Sequence, residues 1–244
     1  MRMLKKLVKL LGIFIVIALF CYLGIQLYVK LSPKVVINTT NSVFLYDKNE
    51  EVFFQGNNEK EWVSLDDIST YVIDASIYTE DKNFYKHHGF DYLRILKAFY
   101  VNLTSGSTQQ GASTITQQYA KNLFLTFDKT WKRKWDEMWY TIKIESTYSK
   151  DEILEGYLNT INYSHGMYGI ENASNYYFGK SAKDLDLAEA TMLTGIPKSP
   201  SNFSPLVNLE AAKERQLLIL NLLVENGIIT EKEKEDAYQK ELQF

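Results

Sequence analysis

The chain has 244 residues, 45% of them apolar and 23% charged, and a formal net charge of −3. That length and apolar content suffice for a full buried core and exclude a disordered chain. The first thirty residues hold Arg2, Lys5, Lys6, Lys9 and Lys30 with no acid, which leaves 22 basic against 30 acidic groups in the remainder and argues against a nucleic-acid partner.

Residues 10–29 form a twenty-residue run without a charge, about 30 Å of helix and so the thickness of a bilayer core. A cleaved signal peptide would have a shorter apolar region and an A-x-A-like exit, so the run reads as an uncleaved anchor. Lys5, Lys6 and Lys9 before it, against Lys30 and Lys34 after it, place residues 1–9 in the cytoplasm and the folded part outside. The single cysteine, Cys21, lies in the run, so disulfides play no part. Residues 30–60 read as a juxtamembrane segment in which VFLYD and EVFFQ, either side of the turn-prone DKNE, are short β-like runs.

From 61 to 244 the pattern is helical and fits one domain. Apolar residues recur at three-to-four spacing over 69–81, 92–103, 113–125, 130–149, 150–161, 185–196, 208–226 and 230–242. Thr230 with Glu233 three residues on predicts a capping box, after Gly227 has closed the preceding helix. The domain is therefore mainly α.

Three stretches carry candidate chemistry. In TEDKNFYKHHGFD, 79–91, a helix should end at Glu80, whose carboxylate then faces the negative end of the helix dipole, a setting suited to a proton acceptor. The plain alternative is an exposed acidic turn over Phe84. A metal site on His87, His88 and Asp91 is disfavoured because adjacent histidines rarely share an ion. In GASTITQQYAKN, 111–122, Ser113 or Thr114 can cap a helix. The run of Ser113, Thr114, Thr116, Gln117 and Gln118, followed by Lys121 and Asn122, offers more donors and acceptors than a cap needs and suits sugar hydroxyls and a phosphate. In TWKRKWDEMWYTIKIE, 130–145, Trp131, Trp135, Met138 and Ile142 predict the buried stripe, with Arg133, Glu137 and Tyr140 on another face and Lys134 at its border. Five basic residues and one acid lie between Lys121 and Lys134, and such positive charge in an acidic domain points to an anionic ligand such as a diphosphate, or to an acidic protein surface.

These stretches resemble the motifs of the peptidoglycan glycosyltransferases, family 51 of the glycosyltransferases, which also form the N-terminal half of bifunctional class A penicillin-binding proteins. The pattern E-D-x-x-F-x-x-H-x-G-x-D matches Glu80, Asp81, Phe84, His87, Gly89 and Asp91. The pattern G-G-S-T-I-T-Q-Q-x-x-K-N matches 111–122 with Ala112 in place of the second glycine, and R-K-x-x-E matches Arg133, Lys134 and Glu137. A fourth stretch, 168–200, continues the likeness, while YSHGMYG at 163–169 departs from it and leaves the role of His165 open.

The resemblance implies a lysozyme-like, two-lobed, mainly α catalytic domain behind one N-terminal transmembrane helix in the cell membrane. It implies that lipid II is polymerised onto a growing glycan chain held by undecaprenyl diphosphate, with inversion and without a covalent sugar–enzyme intermediate. Glu80 would be the catalytic base, and Glu137 would sit near the departing diphosphate. Lys121, Arg133 and Lys134 would bind its oxygens, and Asp81, Phe84, His87, Ser113, Thr114, Gln117, Gln118 and Asn122 would hold substrate or the loops around it. A divalent cation, Mg2+ or Mn2+, is expected at the diphosphate, with no organic cofactor. Other cell-wall synthesis proteins are expected partners, and moenomycin an expected inhibitor. S-x-x-K, S-D-N and K-T-G occur nowhere in the chain, so the expectation is the monofunctional form, which leaves its strands uncrosslinked. Two rivals are a cell-wall glycan hydrolase, which also uses paired carboxylates, and a catalytically silent membrane-tethered scaffold. One of the apolar stretches 98–103 and 123–127 is expected to dip into the bilayer interface.

Overall fold

The computed structural model describes residues 62–105, 111–124 and 131–244, the strands Phe44–Tyr46 and Val52–Gln55, and Phe20, Gly24, Leu27, Tyr28 and Leu31. The transmembrane expectation for 10–29 lies almost wholly outside these residues. Among those described, no helix is long and apolar enough to cross a membrane.

The two β-like runs pair as an antiparallel hairpin, β1 (Phe44–Tyr46) with β2 (Val52–Gln55), in the register Phe44 opposite Gln55 and Leu45 opposite Phe54, with an irregularity between Leu45 and Tyr46. The rest is helical: α1 (Thr70–Glu80), α2 (Tyr92–Ser105), α3 (Ile115–Phe124), α4 (Trp131–Thr147), α5 (Lys150–Leu158), α6 (Ile170–Phe178), α7 (Leu187–Gly195), α8 (Pro200–Phe203), α9 (Leu209–Glu225) and α10 (Glu231–Gln239). The mainly α expectation therefore holds for the described residues.

Local chemistry sets several boundaries. Ser149 with Glu152, Asp186 with Glu189, and Thr230 with Glu233 each form a reciprocal capping box, at the starts of α5, α7 and α10. After α9 the Ile228 amide returns to the Leu223 carbonyl across Gly227, whose φ is 71°. Helix α6 has no counterpart among the segments read from periodicity. It buries Ile170, Ala173, Ser174 and Tyr177 between Gly169 and Gly179, the latter left-handed at its C-cap.

The core is organised around α7, every residue of which is buried, and which packs between α1 and α9. One buried cluster joins Val72 and Ile77 of α1 to Ile115 and Tyr119 of α3, Leu154 and Tyr157 of α5 and Leu193 of α7. A second joins Ala75 of α1 to Leu187 of α7, Ile219, Leu220 and Leu223 of α9 and Ala237 of α10. Glu155 of α5 fixes where the chain enters the domain: its carboxylate accepts from the Trp62 indole at 2.8 Å and from the Leu65 amide at 2.9 Å.

Helix α4 overturns its expected orientation. Trp135 is 67% exposed, and the buried positions are Glu137, Thr141 and Ile144. A polar face can be buried because its groups are satisfied: Lys134 and Gln117 donate to Glu137, and the Thr141 hydroxyl donates to the Glu137 carbonyl at 2.7 Å.

Helices α3 and α5 touch at Gly156, where an added Cβ would lie 2.1 Å from the Tyr119 hydroxyl oxygen and 2.4 Å from its Cζ. Tyr119 is buried and cannot swing aside. Overpacking of this kind costs about 1–3 kcal/mol. Gly156→Ala should therefore lower the melting temperature by several degrees, at about 2–4 °C per kcal/mol for a domain of this size. Thermal unfolding followed by circular dichroism checks it.

Candidate active site

Glu80 is the last residue of α1, as its motif predicts, and its backbone carbonyl is capped by the Arg94 guanidinium from α2. Its side chain is 13% exposed. One carboxylate oxygen, Oε2, accepts from Gln118 Nε2 at 2.7 Å, and the other, Oε1, lies 3.8 Å from Arg215 Nη2. Tyr157 donates its hydroxyl to Gln118 Oε1 at 3.2 Å, which fixes the amide with its NH2 towards Glu80. Burial above all, and then the charge of Glu80, push the Tyr157 phenol well above its ordinary pKa, so the hydroxyl remains a donor.

The second carboxylate, Glu137, is 4% exposed. Its Oε1 accepts from both Lys134 Nζ and Gln117 Nε2, the latter at 3.4 Å. Two consecutive glutamines of α3 thus each hold one carboxylate, Gln117 from α4 and Gln118 from α1. Lys121 lies on the same side of α3, three and four residues further on, and is exposed. Arg133 and Lys134 are half-buried one turn before Glu137, and Ser113 and Asn122 are exposed at the two ends of the α3 stretch.

The other motif residues build the frame. Asp81 is fully buried and accepts from His87 Nε2 at 2.9 and 3.0 Å and from the Ile115 amide at 3.1 Å. His87 is thereby turned inward and His88 outward, which removes the geometry of a His87–His88–Asp91 metal site. Asp91 accepts from Asn83 at 2.8 Å and caps α2 through the Arg94 amide at 2.9 Å, and these bonds, with His87 and Arg94, hold its carboxyl below the usual range although burial opposes them. Thr114 and Gln117 cap α3 reciprocally, and the Thr114 hydroxyl donates to the Gly89 carbonyl at 2.7 Å. Gly89 has φ of 84°, and a Cβ there would lie 2.7 Å from Thr141, so motif one presses directly on α4. Asp81, Phe84 and Thr114 have no exposed surface. Of the two roles expected for these three, holding substrate or the loops around it, full burial fits the second: they shape the site from behind.

Periodicity and motifs did not point to Arg215 or Tyr157. Arg215 is the cation that faces Glu80, 16% exposed, and burial pushes its pKa down while Glu80 pulls it up. Gly195 at the end of α7 makes room for its stem, with a hypothetical Cβ 3.1 Å from Arg215 Cγ. Its sequence setting, KERQLL, reads as an ordinary charged helix turn.

The chain matches the family model described as Transglycosylase over residues 48–224. It is 47% identical over 225 residues to penicillin-binding protein 2D of Bacillus subtilis, covering 91% of this chain and 33% of that protein. It is 42% identical over 216 residues to penicillin-binding protein 1F of the same species, covering 88% and 30%. To penicillin-binding protein 1A of Neisseria gonorrhoeae it is 43% identical over 201 residues, covering 82% and 25%. The chain thus spans a quarter to a third of these relatives. A crystal structure of penicillin-binding protein 1A from Haemophilus influenzae aligns with 84% of this chain and 21% of its own at 21% identity and a TM-score of 0.47. On the extent of the family match and the level of identity over most of its length, the chain belongs to the transglycosylase family.

Proposed function

We propose that the chain is a membrane-bound peptidoglycan glycosyltransferase that polymerises lipid II into β-1,4-linked glycan strands and releases undecaprenyl diphosphate. The observation that carries this reading is the pair of carboxylates held by Gln117 and Gln118, one beside a lysine and the other with an oxygen that, among the described residues, lies outside hydrogen-bond distance of a cation. In the cleft of a two-lobed domain, the growing chain is the donor and lipid II the acceptor.

Glu80 fits the base. Its Oε1 is 3.8 Å from Arg215, too far to be tied up by it, so a lone pair is available for the proton of the acceptor's 4-hydroxyl. The acceptor oxygen then attacks the donor's anomeric carbon, the bond from that carbon to the diphosphate oxygen breaks, and the diphosphate leaves with the electron pair. Attack from the opposite face turns the α-linked donor into a β-linked product. Charge grows on the diphosphate in that transition state, and Lys121, Arg133 and Lys134 supply the compensating cations. Glu137 already accepts from Lys134 and Gln117, which suits it to orient the lysine rather than to take a proton. A divalent ion, Mg2+ or Mn2+, would be held mainly by the phosphate oxygens, since Glu137 already has protein partners and the disengaged oxygen of Glu80 is the one assigned to the proton.

Helix α2 supports a membrane setting. Tyr92, Leu93, Leu96, Phe99, Tyr100 and Leu103 are each 65–79% exposed and form one stripe, with only Ala98 buried. Among the described residues of the two apolar stretches, Phe99, Tyr100 and Leu103 of this one are those that face outward. Leu123 and Phe124 of the other pack on the core, where Phe124 stacks on Tyr140 at 4.4 Å, and 125–127 lie outside the described residues. A stripe of this size suits the acyl boundary, where a prenyl-linked substrate must enter.

Purified protein with lipid II and a divalent cation should give polymer that a muramidase degrades, whereas a hydrolase would release soluble fragments from finished glycan and a scaffold would do neither. Glu80→Gln should lower polymerisation at least a thousandfold with an unchanged melting temperature and retained lipid II binding. Tyr157→Phe frees the Gln118 amide to turn, and one lost buried hydrogen bond of about 1–1.5 kcal/mol should lower kcat about tenfold with KM little changed in steady-state assays. Leu96→Asp with Phe99→Asp should at least halve the binding of a chain starting at residue 61 to anionic vesicles in a flotation assay, while leaving its melting temperature unaltered.

A further inference from the structure

His165, which no motif accounts for, sits in a built environment. The chain turns tightly after α5: the Tyr163 amide donates to the Met167 carbonyl at 2.8 Å, and the Met167 amide donates to the Ser164 carbonyl at 2.8 Å. His165 and Gly166, the central residues of that turn, have φ of 50° and 77°, and Ser164 before them has 72°. A turn of this hand is best served by glycine or asparagine, so the backbone alone does not account for a histidine. The side chain does. His165 Nδ1 lies 3.1 Å from the Tyr177 hydroxyl oxygen and 3.4 Å from Ser204 Oγ. The Tyr177 hydroxyl has a single proton and donates it to the Tyr163 carbonyl at 2.9 Å, so Nδ1 is the donor in its bond to Tyr177. The lone pair of the neutral imidazole is thereby fixed on Nε2, which has no partner among the described residues. His165 and Tyr176 lie nearly parallel, with centroids 5.8 Å apart at 26°, and both stand almost perpendicular to the ring of buried Tyr177, at 85° and 87°. Both outer rings are exposed, Tyr176 to 46%.

We propose that His165 and Tyr176 form a subsite for the uncharged sugar rings of a glycan strand, adjoining the Glu80 side of the site. The inference rests on the proposed function. Charge is the first argument. In a chain that is 23% charged, residues 161–179 hold one acid or base other than His165, and residues 199–209 hold none. The one is Glu171, which is 6% exposed and turned inward to accept from the Ala182 amide at 2.7 Å. An ionic ligand would find no counter-charge on these two stretches, unlike the surface of Lys121, Arg133 and Lys134. Shape and chemistry are the second. A sugar ring has apolar C–H faces and hydroxyls around its rim, so it calls for a firm aromatic face with fixed polar groups at the edge. Tyr176 and His165, braced from below by Tyr177, supply the face. Nε2 supplies an oriented acceptor, and Ser201 and Asn202, exposed within three residues of Ser204, supply further polar groups. Location is the third. Tyr163 lies six residues past Tyr157 in the same buried cluster, and Tyr157 orients the Gln118 amide that holds Glu80. Gly195, whose close neighbour is the stem of Arg215, leads within nine residues to Ser204. Both halves of the surface thus continue from segments that reach Glu80. Its border of Leu206, Val207 and Leu209 is 47–62% exposed, which makes a contact between two copies of the chain the competing outcome.

The test titrates tetra-N-acetylchitotetraose, an uncharged and water-soluble oligosaccharide, into the full chain in detergent by calorimetry. Tyr176→Ala and His165→Asn should each weaken its binding about fivefold or more, the worth of one aromatic face, while inorganic diphosphate with Mg2+ binds both variants as it binds wild type. Asparagine tolerates the left-handed turn, so His165→Asn removes the ring and keeps the loop, which an unchanged melting temperature verifies. Tyr176→Phe keeps the ring and should bind the tetrasaccharide like wild type. No binding by wild type, or binding that survives the loss of either ring, overturns the subsite, as does a loss that diphosphate binding shares equally. A dimer in sedimentation that Tyr176→Ala dissociates, with no sugar bound, would make the surface a contact between copies and also overturn it. Wild type that polymerises lipid II without binding the tetrasaccharide refutes the subsite alone; wild type that binds it through these rings but makes no polymer refutes the proposed function alone.

Discussion

The site depends on one buried charge. Asp81 follows Glu80 directly in sequence and has no contact with solvent. Removing a carboxylate from water costs several kcal/mol unless it is partnered. Its partners are the His87 ring and the first amide of α3, where the positive end of the helix dipole adds to the attraction. That pairing joins the end of α1 to the start of α3, the two places that carry Glu80 and the glutamines. Thr114 repeats the link from the other side by donating to Gly89, and Thr116 donates to Glu145 of α4 at 2.5 Å. Lys150 completes the brace, bonded to Glu145 at 2.7 Å and lying 4.4 Å from the Phe84 ring centre. All three motifs are therefore stitched together behind the candidate site, which makes the frame around Glu80 and Glu137 a rigid one.

Given that frame, the two carboxylates differ by what holds them. Gln117 and Gln118 are neighbours on one helix and point about 100° apart, so one helix serves two walls. Glu137 takes a lysine and an amide on the same oxygen and is nearly sealed. Glu80 takes an amide on one oxygen and keeps the other near, but not on, a guanidinium. A group whose lone pairs are engaged organises charge; a group with one disengaged can accept a proton. The amide that holds Glu80 is itself oriented by Tyr157, a side chain that burial keeps protonated, so the geometry of Glu80 is set two residues deep.

Much of this was legible in the sequence where local chemistry decides. The end of α1 at Glu80, a cap at Ser113 or Thr114 that proves to be Thr114, the turn at Gly227 and the capping box at Thr230 all follow from short-range rules. The motif resemblance named Glu80, Glu137 and the glutamines, but could not separate residues that face a ligand from those that support them: Asp81 and Phe84 turn out wholly buried. Arg215 was beyond reach because only tertiary packing brings α9 beside Glu80, through the gap left by Gly195. Helix α4 failed for another reason. Apolar periodicity assumes that the largest apolar side chains define the inner face, whereas here a satisfied polar ladder of Glu137 and Thr141 is inside and Trp135 is out.

That inversion is consistent with the exposure of α2. A water-soluble domain that exposed six large apolar side chains on one helix and Trp135 on another would tend to aggregate. Neither face needs correction if water is not what they meet. The stripe on α2 follows directly from Asp91, whose carboxylate caps that helix and so fixes its start relative to the motif that carries Glu80. Trp135 is on the helix that carries Glu137 and the basic pair. Each outward apolar surface is thus rigidly coupled to one of the two carboxylates. On the proposed function a lipid-bound substrate would impose that coupling: its reacting carbon is a fixed number of bonds from a chain that cannot leave the apolar layer, so an enzyme that acts on it must hold its own polar groups at the same remove from its own apolar ones.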